Sequence, residues 1–424
     1  MKVKVRPEDF VVEEMARLPL RSRGPYRLYR LEKKNWNTVD LLLRLARTHG
    51  LPFRLFAYGG LKDRHAHTLQ YVTVRHPTDL TTEGKNFSFR SLGFLDRPMG
   101  PDLLLGNRFR ITVRHLSPRE TTAFAASAEE VRRFGFPNYF DDQRFGSLDR
   151  DMGFMAERLL KGHYNGSLQA YLTGIYPEEK REAKERKRFF REHWGDWATC
   201  LSRAKTTMER RIFSLLAERP KAHIEALQMI PAEELSLLFS AYQSFLFNEL
   251  LRRLLEDLGL ELFSVPGAAG PYRFYRRLAP EDLAYLRNLR LPLVAGRMTF
   301  PDRRTAVLFE QVLAERGIKR PDFNLRRIRQ AFFKSTPREA IVFPQNLALT
   351  DPEPDELYPG KLKLTLLFAL PRGSYGTMLI KRLAGHSRSR RHPQGSETSR
   401  PPKSGSQCPP EQAAGPPRSP AGCR

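Results

Sequence analysis

Cysteine is scarce in this chain, with three residues in 424. Cys200 stands alone and Cys408 and Cys423 fall near the C-terminus, so neither a disulfide framework nor a zinc spacing is present. No apolar run approaches the length of a membrane span. The opening stretch MKVKVRPEDFVVEE lacks the apolar core of a signal peptide, so no membrane is expected and a reducing cytoplasm fits. Acid is short as well: 47 Asp and Glu face 72 Lys and Arg, a formal net charge of +25. That surplus points to a polyanionic partner, with nucleic acid ahead of an anionic membrane surface. There is no internal repeat and no strand–helix alternation of the kind that builds a parallel sheet.

What is present is a mixture of strand-like and helix-like segments, which makes the class α+β. PEDFVVEE and NRFRITVRHL read as strands, and TVDLLLRLARTHG reads as a helix with Thr38 as its N-cap and Gly50 closing it. Helical patterns then prevail, in FMAERLLKGH, EKREAKERKRFFREHW and ELSLLFSAYQSFLFNELLRRLLEDLG, before strand character returns at EAIVFPQ and KLKLTLLFALP. This order predicts a sheet domain in two parts, residues 1–150 and 341–385, around a mainly helical insertion over 151–340. Residues 386–424 are Pro, Ser, Gly and Arg with almost nothing to bury, and are expected to be a disordered basic tail.

The stretch GGLKDRHAHTLQYVTV, Gly59 to Val74, places a single carboxylate, Asp63, between Lys62 and Arg64. A short apolar run precedes the glycine pair and an aromatic, β-branched run follows, so the order is strand, loop, strand. A loop held by a sheet is a place where a rigid scaffold presents a reactive group. A neighbouring cation favours the charged carboxylate. Two readings are open from the residues alone: a reactive acid, or a solvated turn in which Asp63 caps the loop backbone. His65 and His67 without a third ligand make no metal site.

FPNYFDDQRFG, Phe136 to Gly146, follows the helical PRETTAFAASAEEVRRFG and gathers Asn138, Tyr139, Phe140, Gln143 and Arg144 in one loop. An amide for a base edge, a ring for its face and a guanidinium for phosphate are the groups that read a nucleotide. An ordinary helix-to-strand connection with aromatic anchors is the other reading. FALPRGSYGTMLIKRL, Phe368 to Leu383, and AYQSFLFNELL, Ala241 to Leu251, read mainly as core packing. The basic run KREAKERKRFFREHW is either a solvated face or a phosphate-contacting helix.

PEDFVVEE, GLKDRHAHTLQ, NYFDDQRFG, AYQSFLFN and FALPRGSYGTMLIKRL together resemble the TruD family of tRNA pseudouridine synthases, in the family's order and across most of Met1 to Leu383. The resemblance implies a pseudouridine synthase-type sheet with an inserted TRUD domain, tRNA as partner with no protein partner and a monomer, and no cofactor or metal. It implies that Asp63 is the essential aspartate and Lys62 the basic residue beside it. Phe140 then matches the aromatic that stacks on the target base, Asn138 the polar residue near it, and Phe10 and Phe368 further aromatics of the cleft. The family's target suggests uridine 13 of certain tRNAs. Two positions depart from the family pattern: Asp141 stands where Gly is usual and Gly376 where Ala is expected. The competing class is a non-catalytic RNA-binding or RNA-chaperone relative, and a third reading is a hydrolase pairing Asp63 with Asp141 or Asp142, which release of free uracil would reveal.

Overall fold

The structure is a computed structural model that describes residues 1–149, 151–176 and 179–389. The remainder of the basic C-terminal segment, from residue 390, lies outside the described residues. The last helix runs Gly376–Ser389.

Seven strands from the first part of the chain, β1 (Phe10–Ala16), β2 (Tyr26–Lys34), β3 (Phe56–Tyr58), β4 (His67–Val74), β5 (Thr82–Gly84), β6 (Phe87–Leu95) and β7 (Leu104–Leu116), join three from its far end, Gln345–Leu349, Glu353–Pro354 and Leu362–Pro371, in one ten-stranded sheet. β1 runs parallel to β4 and every other pairing is antiparallel. The long strand Leu362–Pro371 lies along β7, with Phe368 opposite Phe109. Between Met155 and Glu315 the chain is mostly helical, so the expected α+β class is the observed one.

Local chemistry explains the helix ends. α1 (Thr38–Thr48) is capped by Asn37, whose side chain accepts from Val39 N. The cap is therefore one residue earlier than expected. Thr38 is freed for a buried hydrogen bond to Gln70 Oε1 at 2.9 Å, which ties α1 to β4. α2 (Pro118–Phe134) opens with a capping box between Ser117 and Glu120 and Pro118 at its first turn. It closes at Gly135, which has φ 67 and whose Cβ, if present, would lie 2.8 Å from Val342 O. That close approach lets Phe136–Pro137 pair with Ile341–Val342 and carries the chain into the loop that follows.

Two buried ion networks pin separate segments of the described chain together. Arg114 on β7 binds Asp9 through Nε and Nη2 and Asp355 through Nη1 at 3.0 Å. The fully buried Arg382 of the last helix donates to Ser127 and Glu130 of α2. Breaking one partner of such a pair strands the other charge without solvent, so both act as pins. The basic helix Arg181–Glu192 buries Phe190 and pairs Arg186, Lys187 and Arg191 with Glu209, Glu179 and Asp149. Much of its charge is used inside the protein.

Candidate active site

Asp63 lies on the loop between β3 and β4, and three elements hold that loop. Lys62 N donates to Thr38 Oγ1 at 3.3 Å, Gln70 Nε2 donates to Gly60 O at 3.3 Å, and Lys33 Nζ at the end of β2 donates to Asp63 O at 3.0 Å. Gly59 has no room for a side chain, since a Cβ would meet Leu104 at 2.7 Å. The Asp63 side chain keeps 33% of its surface exposed. It accepts from side chains and, among the described residues, from no backbone amide, so it is not a loop cap.

The cation on Asp63 is Lys4, at 2.6 Å. Lys62, expected in that role, turns away: its ammonium lies 2.8 Å from Glu14 and 2.9 Å from Asn107 Oδ1. The reason is burial. Glu14 is 2% exposed and, beyond the amide of Tyr71, needs a cation that the adjacent Lys62 supplies. Lys4 itself has φ 58, a left-handed conformation uncommon outside glycine. Its ammonium also sits 4.2 Å from the centre of the Phe10 ring. The PEDFVVEE segment thus has three uses: Asp9 anchors to Arg114, Phe10 supports Lys4, and Glu14 captures Lys62.

The loop 138–146 meets Asp63 through Gln143. With its amide nitrogen toward Asp63 Oδ1 (3.3 Å) and its oxygen toward Lys4 Nζ (3.2 Å), Gln143 closes a ring of three side chains. Phe140, 7% exposed, packs edge-on against Phe247 and Tyr375, with the Arg338 guanidinium 4.0 Å from its ring centre. Asn248 clamps its backbone, accepting from Phe140 N at 2.8 Å and donating to Phe140 O at 2.9 Å. Asn138 is buried with both ends of its amide engaged, donating to Glu339 O and accepting from Arg338. Burial drives the Arg338 guanidinium down to about 10, because its partners there, Asn138 and Gly373, are neutral. Arg144 donates to Ser244 Oγ and lies 6.0 Å from the Phe140 ring.

Phe10 and Phe368 are joined by a ring the sequence reading did not single out. Phe109 stacks on Phe368 at 5.0 Å and meets Phe10 edge-on at 6.4 Å, and all three are buried. Gly376 follows from this layer, since a Cβ there would approach Phe109 to 3.0 Å. Asp141 is equally local: φ is −79, so no left-handed backbone is required, and its buried carboxylate pairs with Lys381 at 2.7 Å. Lys381 also holds Asp142 at 2.7 Å, and Tyr272 OH and Ala268 N complete that group. Burial opposes the charge on Asp142, yet these hydrogen bonds outweigh it and hold its pKa below the ordinary aspartate value. Neither acid is paired with Asp63.

Lys4, Lys33, Asn248 and Arg338 were not found by sequence reasoning. Asn248 left a trace, an amide inside an otherwise apolar helical run. His67, by contrast, pairs with Glu32 at 2.7 Å and His65 is exposed.

Beyond the loop, two adjoining grooves of about 790 and 450 Å³ share Gly296, Arg297 and Ser335. Arg290, Arg320, Arg326 and Arg329 line them, and Phe332 stands 73% exposed at their edge. The segment from Asn324 to Lys334 contains no acid. The strand Pro337–Glu339 links the groove to the loop: Pro337 lines the first and Arg338 holds the second.

Known proteins resemble this chain over most of its length. The family model described as tRNA pseudouridine synthase D (TruD) matches residues 1–264 and 286–383. A tRNA pseudouridine synthase D of Leptospira interrogans is 30% identical over 396 residues, covering 91% of this chain and 96% of that one. One from Aquifex aeolicus is 28% identical, covering 90% and 98%. The crystal structure of a candidate TruD protein from Methanosarcina mazei superposes with a TM-score of 0.68 at 25% identity, covering 90% of this chain and 93% of that one. With its sheet, its loops and nearly its whole described length matched, the chain belongs to the tRNA pseudouridine synthase D (TruD) family.

Proposed function

We propose that this pseudouridine synthase isomerises a uridine of tRNA, the one at position 13, with Asp63 as the catalytic carboxylate. The observation that carries this reading is the accessible Asp63 side chain, paired with Lys4 and joined by Gln143 to the loop that bears Phe140. The reaction breaks the N1–C1′ bond, turns the uracil, and joins C5 to the same C1′. The proton leaving C5 is balanced by one gained at N1, so no atom is added and no redox partner is required. The chain must supply an acid at the nucleotide, a clamp for the freed base, and exclusion of water.

The residues fit those tasks. Asp63 acts on the extruded nucleotide while Lys4 orients it. Phe140, set by Asn248 and Arg338, offers a ring for the base, and Arg144 is a cation for phosphate. Tyr375, half-buried with its hydroxyl pKa raised by burial, meets the Phe140 ring edge-on and adds a second aromatic beside it. The groove of Arg297, Arg326 and Arg329 continues from the loop and suits the phosphates of the remaining tRNA. Asn138 serves as a positioning residue, since its amide is spent within the protein.

The decisive experiment is incubation of uridine-labelled tRNA transcripts with the wild-type protein and with Asp63→Asn. Pseudouridine at position 13 with the first and none with the second is expected. Pseudouridine elsewhere would correct the target, and equal product from both would remove Asp63 from its role.

A further inference from the structure

Lys33 is the least expected residue in the sheet. β2 alternates, and Tyr29, Leu31 and Lys33 occupy successive inward positions, each with no exposed surface. The first two join the core beneath the sheet. The third is a lysine where that pattern calls for an apolar side chain. Among the described residues no carboxylate lies within salt-bridge reach of its ammonium. A buried charge without a counter-ion is costly, and an apolar residue of similar size is the more stabilising choice at such a place. The chain keeps the charge, so the question is what it holds.

Its contacts answer this. Lys33 Nζ donates to Trp36 O at 2.7 Å, Asp63 O at 3.0 Å and Lys62 O at 3.4 Å. An ammonium has three donors, and here three carbonyls receive them. Two of those carbonyls belong to Asp63 and its neighbour, and the third to the turn that leads into α1. We propose that Lys33 is the positioning residue of Asp63, fixing the backbone from which the carboxylate reaches the nucleotide. The inference rests on Asp63 being the reactive group.

The charge state matters because a neutral amine has only two donors for three carbonyls. Burial lowers the Lys33 pKa to about 8, against a partial opposing pull from the Asp63 carboxylate, and Lys62 lowers it further. The other charged groups nearby are already engaged: Lys62 with Glu14, Lys4 with Asp63, Glu32 with His67, and Lys34 with Glu8. On β6 the residue opposite Lys33 is the apolar Phe87, and on β4 it is Thr68. Because the folded pKa lies below the unfolded one, the unfolded state binds more protons above pH 8. Stability from this group therefore rises as pH increases through that window. Turnover should move the opposite way, because the loop loses a donor as Lys33 deprotonates. Opposite trends are what a purely structural lysine would not produce.

The test compares full-length wild type, Lys33→Met and Lys33→Arg with a tRNA transcript under single-turnover conditions. Lys33→Met is expected to melt no lower than wild type, to bind tRNA within about twofold, and to react at least about tenfold more slowly. The wild-type rate should decline as pH passes 8, and the Met variant should lack that step. Should the Met variant not fold, Lys33→Arg, charged throughout, keeps the comparison: its profile should be flat where the wild type declines. A Met variant reacting at the wild-type rate, or an Arg profile that declines with the wild type, overturns the proposal. Wild type and Asp63→Asn forming product equally well would instead reject the reading of Asp63, a different result in different samples.

Discussion

Lys4 and Asp63, 59 positions apart, meet at 2.6 Å, while Lys62, directly beside Asp63, is committed to Glu14. Adjacent residues on an extended loop point to opposite sides, so the neighbour in sequence is not the neighbour in space. The two lysines should therefore fail in different ways. Lys4→Met should leave the melting temperature nearly unchanged and lower the single-turnover rate, as loss of an orienting cation does. Lys62→Met leaves Glu14 buried without its cation and should cost about 3–5 kcal/mol of stability. Thermal melts beside rate measurements separate them, and a destabilised Lys4→Met with an active, stable Lys62→Met would reverse the assignment.

Binding of tRNA should weaken steeply with salt. With a net charge of +25, each phosphate neutralised adds roughly 0.7–0.9 to the log–log slope. If the groove carries part of that binding, the combined Arg297→Ala, Arg326→Ala and Arg329→Ala variant should show a slope shallower by about two, with the rate at saturating protein retained. An unchanged slope would take the groove out of the RNA path.

The Asp141–Lys381 pair makes a double-mutant prediction. Lys381→Ala leaves Asp141, 3% exposed, without its cation and should destabilise by about 3–5 kcal/mol. Asp141→Gly in that background removes the stranded charge, and nothing in the backbone at φ −79 resists it. Part of the lost stability should return, with a coupling of about 1–3 kcal/mol in the thermodynamic cycle. Additive losses would show that Lys381 acts mainly through Asp142.

Strands and the course of the helices were legible in the sequence because they depend on local rules. The period-two runs around β1, β4 and β7 and the helical pattern before Gly135 act within a few residues, whereas the cap of α1 fell on Asn37 and not on Thr38. The Asp63 loop was legible for the same reason. Its partners were not, since Lys4, Gln143 and Lys33 reach it from three separate segments and nothing local marks them. Lys33 sits in an inward position that reads as an ordinary end to a strand, and Lys62 is the obvious but wrong cation for Asp63. Asp141 looked like a disturbance of a glycine turn until Lys381, 240 positions away, accounted for its charge. Phe368 and Gly376 are explained by Phe109, a residue that only strand pairing brings between them.

Phe140 allows stability and base contact to be measured apart. The ring is 7% exposed and meets Phe247, Tyr375 and Arg338, so Phe140→Ala should cost about 3–5 kcal/mol of folding stability together with activity. That variant alone says little, because a cavity in the loop also displaces Gln143 and hence Asp63. Phe140→Leu keeps most of the volume but no flat face. A branched apolar side chain can still pack against Phe247, and the Asn248 clamp on the backbone is untouched, so the melting temperature should return close to wild type. If the ring supports the extruded uracil, the Leu variant should still lack about 1–3 kcal/mol of stacking, a rate reduced by roughly five- to 150-fold. A Leu variant that recovers stability and rate together would make Phe140 an anchor of the loop only, and would leave Tyr375 as the aromatic to test against the base.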